Sequence, residues 1–311
     1  MRDLYIAKYN DVQILEIVNS FRFLPLQVLT KILIEKKLYG SYQAVSRTIN
    51  RLREHGLIRT TYFTNNAKII FLSRQGAKQL ATGTGVSEDS INCAERLTGV
   101  NFFALEHTIK VAELYLLLLR ECEKHNISLK SFTGDHFTRY EYKFRDYSSG
   151  RDIRRYVLPD AEVDLTIDNH TYRIWIEYDR GTEASKEVAV KYMKYFEYYC
   201  EVIEEQKWYP IILFITESTK ERLNNLVVKD ESYNGEWDYY KTNKTYKNVV
   251  LKGISQTPNF KSLSSQDVES FLMTNRFLFI DYATFESDGF NTDLLNFKAE
   301  PIKLLDILKS K

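Results

Sequence analysis

The sequence predicts a chain of two structural classes, a small α+β module followed by an α/β domain. Three observations carry that reading. The N-terminal part shows three short amphipathic helical patterns and then an alternating hairpin. Residues 156–178 read as two alternating strands. A continuous apolar strand follows at 209–215, beyond an amphipathic helix. The length of 311 residues suits two domains. With 44% hydrophobic and 27% charged residues, the chain has the balance of a protein with real cores.

Taken in order, Asp11 to Asn19 places Val12, Ile14, Leu15, Ile17 and Val18 at helical spacing, with Asn10 or Asp11 as the cap. Phe21-Arg22-Phe23-Leu24-Pro25 interrupts it. Pro25 suits the first turn of a second helix, where its missing N–H costs nothing, and that helix runs through Val28, Leu29, Ile32 and Leu33. Ser41 caps a third helix with apolar Val45, Ile49 and Leu52, ended by Gly56. Arg59–Phe63 and Lys68–Leu72 then alternate around the polar turn Thr64-Asn65-Asn66-Ala67. Three helices and a hairpin predict a winged helix-turn-helix. Ser73 reads as the cap of a further helix, and Gly83-Thr84-Gly85-Val86-Ser87 as a linker.

Charge agrees with this topology. Residues 1–85 hold thirteen Lys or Arg against five Asp or Glu, a net of +8, which leaves −7 for the rest of a chain of net charge +1. A basic module joined to an acidic one points to a polyanion at its N-terminal end. On the face of the third helix away from its apolar residues stand Gln43, Arg47, Asn50, Arg51 and Glu54. Arg, Gln and Asn are the side chains that make bidentate bonds to base edges. Asn65, Asn66 and Lys68 at the hairpin suit phosphates beside that helix. The expected DNA-binding set is therefore Gln43, Arg47, Asn50, Arg51, Asn65 and Lys68, with double-stranded DNA as partner. The alternative is a winged helix used for protein contact, its polar face simply solvated.

Cys93, Cys122 and Cys200 are too few and too scattered for a disulfide framework or a cysteine-based zinc site, which fits a reducing cytoplasm. The run Leu114–Leu119 is far short of a membrane span, and the first residues carry no signal-peptide pattern, so no membrane is expected. Residues 101–124 form a long helix that is apolar on more than one side, expected to be buried inside the chain or in a homodimer.

The C-terminal half holds the constellation that resembles chemistry. Tyr156–Asp160 leads into the alternating strand Ala161–Ile167, Asp168-Asn169-His170-Thr171 turns, and Tyr172–Tyr178 returns, ending in Glu177-Tyr178-Asp179. A helix with Val188, Tyr192, Tyr195, Phe196 and Tyr199 precedes the apolar strand Tyr209–Ile215, the kind buried on both faces. An Asp opening one strand and acids closing its neighbour bring carboxylates to one sheet edge. Such clusters suit Mg²⁺, which polarises phosphates.

Pro159-Asp160 with Glu177-Tyr178-Asp179 resembles the Pro-Asp…(Asp/Glu)-x-Lys, or PD-(D/E)XK, pattern of restriction-endonuclease-like nucleases, with Asp179 where that pattern has Lys. Lys186, Lys191 or Arg180 would have to supply the cation. The longer string Pro159-Asp160-Ala161, Ile176 to Glu183, Lys191-Tyr192 and Tyr195, with Leu105-Glu106-His107 upstream, is similar to a narrower family, the replication-relaxation proteins of plasmids and mobile elements in mainly Gram-positive bacteria. That resemblance spans about residues 10–220. It implies an N-terminal winged helix and an endonuclease-like core, and a bacterial role in plasmid replication, relaxation or mobilisation, helping a relaxase or a replication initiator. The family itself carries Asp where an active nuclease carries Lys.

The expected organisation is thus 1–85, winged helix; 86–130, linker and long connecting helix; 131–311, endonuclease-like domain. Three readings of the carboxylates stay open. They could form an ion-pair network that fixes the hairpin on the helix, or a nucleic-acid or ligand pocket without cleavage. In a metal-dependent nuclease, Asp160, Glu177, Asp179 and Lys191 would be catalytic, with Asp160 and Glu177 on the metal. Beyond 220, the aromatic and basic residues from Tyr239 to Lys252 suit either a solvated edge or a single-stranded nucleic acid, Arg276–Asp281 reads as a strand, and Ile302–Leu308 as a terminal helix. The sequence contains no glycine-rich phosphate loop, nucleophile elbow, His-x-x-x-His pair or internal repeat.

Overall fold

In the computed structural model, residues 5–63, 66–94, 102–146, 150–181, 185–206, 209–217, 276–296 and 300–309 are described. The expectations for Asn65, for Thr182 and Glu183, and for the stretch Tyr239–Lys252 lie outside them. The chain divides into two units, Met1–His125 with Phe132–Phe137, and Asn126–Ser131 with Thr138–Lys311. The long helix thus groups with the first unit.

The first unit opens with α1 (Tyr9–Ser20), β1 (Phe23–Pro25), α2 (Leu26–Glu35) and α3 (Tyr42–Glu54). It continues with β2 (Ile58–Tyr62), β3 (Lys68–Leu72), α4 (Arg74–Thr84) and α5 (Phe102–Lys124). Helix α1 starts earlier than its sequence suggests. Lys8 holds the cap position and Asp11 lies one turn in, its carboxylate accepting the Lys8 N–H at 3.0 Å. The Phe21–Pro25 interruption is a strand: Arg22 takes a left-handed turn at φ +62°, and Phe23, Leu24 and Pro25 pair antiparallel with Phe71, Ile70 and Ile69. Pro25 tolerates the strand edge and caps α2 from outside.

Ser41 caps α3 by accepting the Ala44 N–H, and Val45, Ile49 and Leu52 are buried as their spacing requires. The β2–β3 hairpin pairs Ile58 with Leu72 through to Tyr62 with Lys68. Ile69 and Phe71 pack with Phe23 and with Leu105 of α5, while Ile70 and Leu72, also buried, share the other face with Lys68, which is half-buried at the hairpin end. Helix α4 runs through Gly83 and Thr84, two residues expected in a linker. Gly83 fits because a Cβ there would lie 2.9 Å from the Val12 side chain, and the helix ends at Gly85, which is left-handed at φ +75°. Helix α5 buries Leu105, Val111, Ala112, Leu114 to Leu118 and Cys122. It is tied to α2 by Arg120–Glu35 at 3.0 Å and by Lys37–Glu123, and Tyr115 joins Phe21 and Phe132 in an aromatic cluster. No described helix is long and apolar enough to cross a membrane.

The second unit is built on a seven-stranded mixed sheet of order β12-β11-β10-β9-β8-β7-β4. Its strands are β4 (Ser128–Gly134), β7 (Ala161–Ile167), β8 (His170–Asp179), β9 (Ile211–Thr216), β10 (Phe277–Asp281), β11 (Asp293–Leu295) and β12 (Pro301–Lys303). Between β4 and β7, β5 (Tyr140–Asp146) and β6 (Arg151–Val157) form a separate antiparallel ribbon. Helix α6 (Ser185–Gln206) joins β8 to β9, while α7 (Tyr282–Asp288) and α8 (Leu304–Lys309) follow β10 and β12.

β7 and β8 form the expected hairpin, turning at Asp168 and Asn169, both at positive φ. β9 is buried at every position and lies between parallel neighbours β8 and β10. The terminal helix begins at Leu304, because Ile302 pairs with Leu294 in β12.

Candidate functional site

Two sets of residues qualify, one in each unit. In the first unit the exposed surface of α3 carries Tyr42, Gln43, Arg47, Arg53 and Glu54, with Asn50 half-buried. At ~100° per residue, Gln43, Arg47 and Asn50 fall on one stripe, and Arg51 sits roughly 80° round from Gln43, at the margin of the buried face. Its guanidinium is committed accordingly. Arg51 Nη2 donates to Oδ1 of the buried Asp11 at 2.5 Å, and its charge lies 5.9 Å from the Tyr5 ring centroid. The Tyr5 hydroxyl donates to Asp11 Oδ2, and the Tyr5 ring stacks on His55 just past α3, with centroids 4.1 Å apart. Burial and the Asp11 carboxylate push the Tyr5 hydroxyl up to about 12. The stretch before α1 thus clasps the C-terminal end of α3.

Arg53 and Tyr42 lie on the other margin of the stripe. Burial lowers the pKa of Lys68 on β3, and the charge of Arg53 adds to it. The exposed face of α3 is therefore bounded by the Arg51–Asp11 pair on one side and by exposed Tyr42 and Arg53 on the other. Asn66 is exposed at the turn, with φ +59°. Tyr42, Arg53 and Tyr62 are exposed members of this surface that the sequence reading did not select. The helical phase signals Tyr42 and Arg53, which fall about 20° apart across eleven residues.

In the second unit, Asp160 precedes β7, Glu177 and Asp179 close β8, and Lys191 and Tyr195 stand one turn apart on α6. Asp160 extends the β7–β8 ladder by one step: its N–H donates to the Ile176 carbonyl at 2.9 Å, and its Oδ2 accepts the Tyr178 N–H at 2.7 Å. Asp179 is buried and builds the turn after β8, accepting the Gly181 N–H at 2.9 Å and the Thr216 hydroxyl at 3.1 Å. Thr216 is its partner in the parallel β8–β9 register.

Glu177, 2% exposed, accepts from Lys191 Nζ at 2.8 Å on one oxygen and from the Tyr195 hydroxyl on the other. The Lys-Tyr-x-x-Tyr spacing explains the pairing. Residues 191 and 195 share one helix face, while Tyr192 turns into a core with Phe214, Phe277 and Phe279. Burial raises the Glu177 carboxyl to about 7, with nearby Asp160 adding to it, against the opposing pull of Lys191 and Tyr195.

The structure therefore brings Glu177 and Lys191 into contact, puts Asp160 within electrostatic reach, and turns Asp179 to the loop. Nothing is described of the Lys186 side chain. The donor set does not fit a divalent cation. Both Glu177 oxygens and both Asp179 oxygens carry hydrogen bonds, Lys191 already supplies the positive charge, and no group of three or more His, Cys, Asp or Glu able to hold a metal occurs among the described residues. Leu105, Glu106 and His107, the upstream motif, lie on α5 with Leu105 buried and the other two half-buried.

Set against known proteins, residues 15–210 match the family described as replication-relaxation. No curated protein and no solved structure matches the chain.

Proposed function

From the chain's membership of the replication-relaxation family, we propose that it binds duplex DNA as an accessory or regulatory protein of plasmid or mobile-element replication, relaxation or mobilisation. In this reading the first unit is a winged helix-turn-helix, with α1 to α3 as its helices and β2–β3 as its wing. Helix α3 enters the major groove, with Gln43, Arg47 and Asn50 toward base edges and Lys68, Asn65 and Asn66 toward phosphates. Arg51 positions α3 and leaves one side of its guanidinium for a phosphate.

The observation that carries the reading is the exposed polar stripe of α3 in a segment of net charge +8, a surface suited to a polyanion. The second unit, an endonuclease-like core in this proposal, is held by the Glu177–Lys191–Tyr195 cluster and serves as a scaffold rather than a cleaving centre. A relaxase or replication initiator is the protein partner such a role would require.

A gel-shift assay with duplex fragments tests this, run with Mg²⁺ and with EDTA on supercoiled and linear DNA. The expected result is a shift that weakens steeply with salt, is the same in EDTA, and leaves the DNA uncut. A metal-dependent product removed by Glu177→Ala would replace this reading with a nuclease. Retention of a protein partner with no DNA shift at any salt would replace it with a protein-contact module.

A further inference from the structure

The β5–β6 ribbon stands apart from the seven-stranded sheet of its unit and has no role in the function proposed above. Its register pairs Tyr140 with Val157, Glu141 with Tyr156, Tyr142 with Arg155, Lys143 with Arg154, and Arg145 with Asp152. Alternation sorts these onto two faces. One face is anchored. Tyr142 is buried, and its hydroxyl donates to Glu197 of α6 at 2.5 Å, while Arg155 donates to both Glu197 oxygens at 2.7 and 2.9 Å. Tyr140 donates to the buried Glu162 and stacks on Trp175.

The other face is unlike it. Lys143 and Arg139 are exposed, Arg154 has a side chain 77% exposed, and the Arg139 guanidinium lies 3.7 Å from the centroid of the Tyr156 ring. β6 is exposed at four successive positions, Arg151 to Arg154, where a strand lying flat on a body would alternate. Residues 139–157 hold six Lys or Arg against three Asp or Glu, although residues 86–311 carry a net −7.

Lys143 stands directly opposite Arg154 across the ribbon, and Glu141 on the same face ion-pairs with Arg154 at 3.4 Å. Exposed Arg139 and Lys143 beside that pair leave the face with a cationic excess. A two-stranded ribbon has the width of the DNA major groove, and cations on its outer face meet phosphates.

We propose that the outer face of the β5–β6 ribbon is a second DNA contact, in which Arg139, Lys143 and Arg154 bind the phosphodiester backbone. The inference rests on the reading of the chain as a DNA-binding protein and adds an element outside the winged helix.

The test compares four full-length proteins by fluorescence anisotropy, on duplex and on single-stranded oligonucleotides, across a salt series. They are the parent, Lys143→Gln/Arg154→Gln, Gln43→Ala/Arg47→Ala, and the charge-matched control Lys303→Gln/Lys309→Gln. The ribbon variant is expected to bind duplex about tenfold more weakly near 0.1 M salt, with a salt slope smaller by about 1.8 for two lost phosphate contacts, and the control to match the parent. Thermal melting guards against misfolding: the variant removes the Lys143–Arg154 opposition and the exposed Arg154–Glu141 pair together, so it should melt close to the parent.

A ribbon variant equal to the parent in affinity and slope, or a control that weakens equally, overturns the ribbon contact and leaves the α3 reading standing. Weakening of the ribbon variant while Gln43→Ala/Arg47→Ala binds as the parent does overturns the α3 reading and supports the ribbon. A parent that binds neither duplex nor single strand overturns both. The single-stranded arm shows which form of the phosphodiester backbone the ribbon takes, through the oligonucleotide on which the ribbon variant loses more.

Discussion

Arg51 on α3 donates to Asp11 on α1 across 2.5 Å, and the Asp11 carboxylate is buried while the Arg51 side chain is 39% exposed. Asp11 also accepts from the Lys8 N–H and the Tyr5 hydroxyl, so one carboxylate joins the start of α1, the segment before it, and α3. The orientation of α3 is thereby fixed by an ion pair rather than by apolar packing alone.

Truncating Arg51 leaves a buried carboxylate without its counter-ion. With Arg51 partly exposed and Asp11 keeping its Tyr5 and Lys8 donors, Arg51→Ala is expected to lower stability by roughly 1.5–3 kcal/mol, whereas Gln43→Ala and Arg47→Ala should change it by no more than about 0.5 kcal/mol. Urea denaturation monitored by far-UV circular dichroism separates them. Equal and small effects for all three would mean that the pair does not organise α3. Loss of DNA binding in Arg51→Ala therefore reports helix position as well as contact.

Ser73 and Gly76 form the joint that carries the chain from the hairpin into α4. The Ser73 hydroxyl donates to the Gly56 and Leu57 carbonyls and accepts the Gly76 N–H at 3.0 Å. A Cβ on Gly76 would lie 1.9 Å from the Leu57 carbonyl oxygen, with backbone on both sides of the clash. Gly76→Ala is expected to cost about 3 kcal/mol or more, the upper end of overpacking effects. A melting temperature within one degree of the parent would contradict this geometry.

Glu177 gives the second unit a pH dependence. Its carboxyl is raised from an ordinary 4.5 to about 7, chiefly by burial. A carboxyl with a raised folded pKa holds its proton more tightly in the folded state. Its stabilising contribution is therefore complete below about 4.5 and disappears as the pH rises through about 7. Parent protein should lose melting temperature between pH 5 and 7.5 relative to Glu177→Gln, which lacks this titration. Parallel profiles for the two proteins would show that the group titrates outside this window.

Lys191 seated on Glu177 and Asp179 turned to the loop after β8 predict indifference to divalent ions. Titration calorimetry with Mg²⁺ or Mn²⁺ up to millimolar concentration is expected to show no saturable heat, and the melting temperature to stay within about one degree. Saturable binding abolished by Asp160→Asn would mean that the ion displaces Lys191 from Glu177.

Much of this was legible in the sequence because the signals were local. Spacing sufficed for Val45, Ile49 and Leu52 on α3, for the Ser41 and Ser73 caps, and for β9, where five apolar residues in a row, Ile211 to Ile215, match burial on both faces. The β1 strand was hidden because its pairing partners, Ile69 to Phe71, lie more than forty residues away and its own three residues carry no period. The β5–β6 ribbon was missed for the opposite reason: charged on one face and exposed at its end, it lacks the apolar alternation by which strands are recognised.

At the candidate site, sequence brought Asp160, Glu177 and Lys191 to attention. Which oxygen meets which donor depends on the packing of α6 against β8, and only the structure supplies that. Arg51 shows the same limit, since its partner Asp11 is forty residues distant.

The most direct measurement is the duplex DNA affinity of Gln43→Ala/Arg47→Ala against the parent from 0.05 to 0.3 M salt. Two fully folded proteins are predicted, with the variant at least about tenfold weaker at every salt concentration, because the lost contacts are to base edges rather than phosphates. Identical affinity in a variant that melts with the parent would contradict α3 as the DNA-contacting helix.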